Sequence, residues 1–94
     1  MERIRFGATG LKVSRFALGT MTLGDALDER ASHELLDVAT ESGIDLIDTA
    51  NAYNAGLTEE IVGRWLAARG QREQVVLVSK VRYPVGDDQS TAGL

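Results

Sequence analysis

Residues 45–81, DLIDTANAYNAGLTEEIVGRWLAARGQREQVVLVSKV, decide the fold. Two apolar segments, DLIDTA at 45–50 and VLVSKV at 76–81, enclose a stretch with helical periodicity. Within that stretch Thr58 is placed to cap a helix, and Glu59 and Glu60 suit the positive end of its dipole. Ile61, Val62, Trp65 and Leu66 then recur on one face, and Gly70 can close the last turn. The segment reads as strand, helix, strand.

The pattern extends upstream. RFALGT at 15–20 begins 30 residues before DLIDTA, which itself begins 31 residues before VLVSKV. Between the first two lies DERASHELLDVATESG, residues 28–43. Asp28 can cap this helix, Ala31, Leu35, Val38 and Ala39 fall at helical spacing, and Gly43 can end it. Consecutive right-handed crossovers of this length place the three strands parallel and adjacent, with helices on one face, so the class is α/β. Further upstream, IRF at 4–6 and LKV at 11–13 flank GATG, which predicts a hairpin ahead of the first parallel strand. Downstream, RYPVGDDQSTAGL at 82–94 has no apolar periodicity and reads as a loop without a following element.

Bulk composition narrows the function classes. The 94 residues allow one modest core. Fourteen acidic against 10 basic residues give a net charge of -4, with no basic stripe for nucleic acid. The absence of cysteine excludes thiolate chemistry, and His33 with scattered carboxylates makes no metal-ligand cluster of recognisable spacing. No apolar run exceeds the four residues of VVLV at 75–78, so the expectation is a soluble, cytoplasmic chain without a membrane partner.

Each strand closes on residues that packing alone does not select: Gly19 and Thr20, Asp48 and Thr49, Ser79 and Lys80. In parallel α/β folds the C-terminal strand ends collect ligands and catalytic groups. Tyr53, five residues after Asp48, can swing over the ends where Asp48 and Lys80 emerge. A phenol has an ordinary pKa near ~10 and a lysine near ~10.4, so an adjacent ammonium favours the phenolate and makes the phenol a better proton donor. Asp48 would hold that ammonium charged. The plainer readings are a strand-end polar residue for Asp48, a loop aromatic for Tyr53, a solvated lysine for Lys80 and a simple strand stop at Gly19, Thr20 and Met21. Trp65, Leu35 and Leu36 read as core, and His33 as a helix residue outside the site. GATGLK lacks the G-x-G-x-x-G arrangement, which leaves a Rossmann fold as the weaker α/β alternative.

Three motifs in order, GTMTLG at 19–24, DTANAYNAGLTEEIVG at 48–63 and LVSKV at 77–81, resemble the aldo-keto reductases. The opening GATGLKVSRFALGTMTLG is similar to the bacterial oxidoreductase branch and the potassium-channel β-subunit relatives, so the resemblance covers essentially all 94 residues. It implies an eight-stranded (β/α) TIM barrel that binds NADPH, or NADH, and reduces small aldehydes or ketones. Asp48, Tyr53 and Lys80 match three of the family's four catalytic residues; the fourth, a His at the end of the fourth strand, would fall beyond residue 94. Gly19, Thr20 and Met21, with Asp48, would lie along the nicotinamide. Residues 1–94 would then be the N-terminal hairpin and about three β/α units of an incomplete barrel, inactive alone. The alternative from a different class is a non-catalytic interaction or complementing module. Its contacts, including self-association or a barrel-like oligomer, would run through exposed strand edges.

Overall fold

The structure, a computed structural model, describes residues 1–93. The chain opens with the expected hairpin. Strands β1 (Arg3–Arg5) and β2 (Lys12–Ser14) pair antiparallel with Ile4 opposite Val13. Three further strands, β3 (Ala17–Gly19), β4 (Leu46–Asp48) and β5 (Val76–Val78), form one parallel sheet in that order. Leu18, Ile47 and Leu77 stand in register across it, and so do Gly19, Asp48 and Val78 at its C-terminal edge. Helix α1 (Glu29–Glu41) connects β3 to β4, and α2 (Leu57–Arg69) connects β4 to β5. The fold is therefore α/β with two crossover units. Among the described residues β3 and β5 each have a strand partner on one side only.

Local chemistry accounts for most helix ends. Asp28 caps α1, its Oδ1 accepting from the Ala31 amide at 2.9 Å. Past the other end Gly43 turns the chain with φ +93°, and a Cβ there would come within 2.8 Å of the Met1 Cβ. Both the left-handed conformation and the close approach select glycine. Gly70 closes α2 in the same conformation.

Two details of the sequence reading are corrected. Thr58 does not cap α2. The cap is Gly56, with φ +94°, and Thr58 lies inside the first turn with its hydroxyl donating to the Leu23 carbonyl at 2.7 Å. Val38 does not face the core and is 59% exposed. The buried face of α1 is centred on Ser32, Leu36 and Ala39, and a residue two positions from Leu36 projects to the opposite side of a 3.6-residue turn.

The core lies between the sheet and both helices and contains Leu23, Leu36, Ile47, Val62, Trp65, Leu66 and Val75. Burying each aliphatic side chain contributes about 1.5–3 kcal/mol. Trp65 is fully buried, and its indole N–H donates to Asp37 Oδ1 at 2.8 Å. Arg69 grips the same carboxylate through two guanidinium nitrogens, so Asp37 joins α1 to α2. Asp45 performs the equivalent task at the opposite end of the sheet. It accepts from the Ser14 amide at 2.8 Å and pairs with Arg3, fastening the hairpin beneath β4. After β5 the chain forms a bridge between Val85 and Asp88 and a single 3-10 turn at Gln89–Thr91, local order inside the segment read as loop. Leu94, the last residue of that segment, lies outside the described residues.

Candidate active site

The C-terminal edge of the sheet brings Asp48, Tyr53 and Lys80 together. Asp48 ends β4, and Lys80 follows β5 by two residues. Strand-like pairing continues past both ends, since the Thr49 amide donates to the Val78 carbonyl at 2.7 Å and the Asn51 amide to the Lys80 carbonyl at 3.1 Å. The backbone beneath Lys80 is thus tied to the segment carrying Asp48. From there Lys80 Nζ donates to Asp48 Oδ1 and to the Thr49 carbonyl, each at 2.7 Å. Both side chains are about half exposed, so this pair is worth little to stability and serves mainly to orient the ammonium.

Tyr53 begins a 3-10 turn, Tyr53–Gly56, that leads into α2. Lys80 Nζ stands over its ring, 5.0 Å from the centroid, within the range of a cation–π contact. The hydrogen bond to Asp48 raises the Lys80 pKa most; partial desolvation opposes it, and hydrogen bonding to Tyr53 raises it further. Lys80 is consequently held as a cation through neutral pH. The carboxylate of Asp48 keeps the ammonium in this place.

The other sequence-derived positions lie around the trio in different ways. Gly19 is in register with Asp48, and a Cβ placed on it would meet nothing within 4 Å, so the sheet end is open beside the carboxylate. Met21 is 64% exposed next to it. Thr20 is buried, and its hydroxyl donates to the Asp48 carbonyl at 2.9 Å. Its side chain therefore fastens β3 to β4. Two contributors escaped the sequence reading, Asn54 and Thr58. Asn54 Nδ2 donates to the Met21 carbonyl at 2.9 Å, the Leu23 carbonyl at 3.0 Å and Thr58 Oγ1 at 2.9 Å. The one available signal was an asparagine directly after Tyr53, since asparagine tolerates the left-handed turn found there.

A groove of about 410 Å³ runs alongside, lined by Ala50, Ala52, Tyr53, Lys80, Val81 and Tyr83 among others. It places mostly apolar wall next to the phenol. A more polar groove lies at the other end of the sheet, around Arg3, Asp45 and Gln74, away from the trio. None of the helices among the described residues is long and apolar enough to cross a membrane.

The parallel sheet thus gathers a phenol, an ammonium and a carboxylate at its C-terminal strand ends. Residues 15–94 match the model of the aldo/keto reductase family, and the chain belongs to that family. The oxidoreductase YrpG of Bacillus subtilis is 50% identical over 92 residues, which is 93% of this chain and 28% of that protein. The NADP(+) aryl-alcohol dehydrogenase of Phanerodontia chrysosporium is 42% identical over 79 residues, 76% of this chain and 20% of its own length. An aldo-keto reductase of Bacillus halodurans, solved in its holo form, superposes with a TM-score of 0.80 at 36% identity, covering 95% of this chain and 29% of that one. The chain thus spans less than a third of the length of these relatives.

Proposed function

We propose that residues 1–94 supply the N-terminal hairpin and about three β/α units, as far as the third barrel strand, of a (β/α)8 barrel that reduces aldehydes or ketones with NADPH, with NADH as the alternative cofactor. The observation that carries this is the contact of Lys80 with both Asp48 and Tyr53 at one sheet edge. Tyr53 would donate the proton to the carbonyl oxygen, Lys80 would stabilise the phenolate left behind, and Asp48 would keep Lys80 charged and aimed. The bound nicotinamide supplies the hydride. Gly19, Met21 and Asp48 would hold the nicotinamide at the open sheet end, while Thr20 would act through its bond to the Asp48 backbone. The apolar wall of the groove beside Tyr53 suits an uncharged carbonyl substrate.

In this reading the chain contributes three of four catalytic groups and only the nicotinamide end of the cofactor cradle, so alone it neither binds NADPH nor turns over. Its open β3 and β5 edges favour self-association. A cytoplasmic location fits the NADPH chemistry. The test is to exchange residues 1–94 for the matching segment of the Bacillus halodurans relative and follow NADPH oxidation with a small aldehyde. Reduction by the completed barrel supports the proposal, and a folded but inactive barrel refutes it.

A further inference from the structure

Directly after Tyr53 the backbone leaves ordinary space. Asn54 has φ +52°, ψ +42° and Ala55 has φ +56°, ψ +35°, two successive non-glycine residues in the left-handed region. Such residues are uncommon and persist only where surrounding contacts fix them. The side-chain hydrogen bonds that tie this turn to distant segments converge on Asn54. Its side-chain nitrogen points at two carbonyls of the loop after β3, those of Met21 and Leu23, and at Thr58 Oγ1 in the first turn of α2. Thr58 in turn donates to the Leu23 carbonyl, so both side chains meet on one acceptor. The same loop holds Asp48 through Thr20. One segment, residues 20–23, therefore holds both the Asp48 backbone and the turn that follows Tyr53.

From this geometry we infer that Asn54 is a positioning residue: its amide latches the Tyr53 turn to the loop after β3 and so sets the Tyr53 ring under the Lys80 ammonium. The inference rests on the proposed reading for the chemical value of that placement, but the placement itself can be measured without any reaction. Asparagine meets both requirements of the site, a tolerance of positive φ and an NH₂ group facing carbonyl oxygens. Aspartate keeps the shape and the tolerance but turns an acceptor on those carbonyls. Glycine keeps the conformation and removes the latch alone.

The experiment compares the parent chain with Asn54→Asp and Asn54→Gly by NMR. It reads the ring-current displacement of the Lys80 ε-methylene and its cross-relaxation to the Tyr53 ring. Amide dispersion and the Trp65 indole signal report whether the fold persists, and glycine is the variant chosen to keep it. The latch predicts that both variants lose the Lys80 displacement and the Tyr53–Lys80 cross-peak while the Trp65 indole signal is retained. In the completed barrel it predicts a fall in kcat with little change in NADPH affinity, a split that general destabilisation does not give. An unaltered Tyr53–Lys80 contact in Asn54→Gly overturns the inference. A lost contact with reductase activity absent even in the unmutated barrel would sink the functional reading and leave the latch standing.

Discussion

Two buried threonines flank the site, and valine in place of each is expected to act in opposite directions. Thr58 is fully buried; its hydroxyl donates to the Leu23 carbonyl and accepts from Asn54. Thr49 is 1% exposed, and among the described residues its Oγ1 has no hydrogen-bond partner. Valine preserves the β-branched shape, so each substitution isolates a hydroxyl. At position 58 two hydrogen bonds of about 0.5–1.5 kcal/mol each are lost, for a destabilisation of about 1–3 kcal/mol. At position 49 an unsatisfied hydroxyl, whose burial costs roughly 1–3 kcal/mol, is replaced by a methyl group, and the chain gains about 1 kcal/mol. The two variants should therefore differ by about 2–4 kcal/mol. For a domain of this size that is a separation of at least about 8 °C in Tm. Urea unfolding followed through Trp65, the single tryptophan, measures both, provided the m-values agree. Two variants equal within about 0.5 kcal/mol, the usual scale of neutral substitutions, would refute the reasoning.

Other expectations follow from the same contacts. Burial works to raise the Asp45 pKa, but the Ser14 amide and Arg3 outweigh it and hold the carboxyl below its usual range. Its contribution to hairpin docking is then complete above the ordinary aspartate value near ~3.9 and is lost as pH falls through the lower folded value. Hydrogen exchange at the Ile4 and Val13 amides should accelerate in that acid window, and an exchange rate with no such onset contradicts the assignment. Lys80 has a raised pKa, so its pairing with Asp48 is fully present below the ordinary lysine value near ~10.4 and disappears as pH rises through the higher folded value. NMR titration of the side-chain nitrogen checks this, and a midpoint at or below the ordinary value counts against it. Trp65→Phe removes the indole donor to Asp37 and should cost about 1–3 kcal/mol; calorimetry showing an unchanged Tm would argue that Arg69 alone holds that carboxylate. Titration of NADPH into the 94-residue chain, with size-exclusion chromatography of the same sample, should give no saturable fluorescence change. Saturable binding by a species of defined size would contradict the incomplete cradle.

The sequence made the repeating features legible because they depend on local chemistry. Three apolar segments at a near-constant period became the parallel strands, and Asp28, Gly43 and Gly70 ended helices as their residue types require. Asp48 and Lys80 stood out as ionisable residues on apolar strands, which is why their meeting was foreseeable. What escaped was set by partners far along the chain. Thr58 precedes two glutamates, as a helix cap often does, yet its hydroxyl is taken by Leu23, 35 residues earlier. Asn54 reaches back over a similar span, and no local pattern encodes that contact. Val38 shows the limit of periodicity itself: an apolar residue three positions after Leu35 fits a helical stripe, but the stripe that packs is centred one residue further on.

The central claim is that Tyr53 is the proton donor of a site these residues share with the rest of the barrel. It is tested most directly by comparing kcat for carbonyl reduction in the completed barrel with and without Tyr53→Phe, at saturating NADPH. The phenylalanine ring keeps the cation–π contact with Lys80 and removes the hydroxyl, with its transferable proton and its hydrogen bond to Lys80. The account predicts a loss of about 10²–10⁴-fold, the usual contribution of a positioned general acid, with NADPH affinity retained. A Tyr53→Phe enzyme that turns over at the parent rate would contradict it.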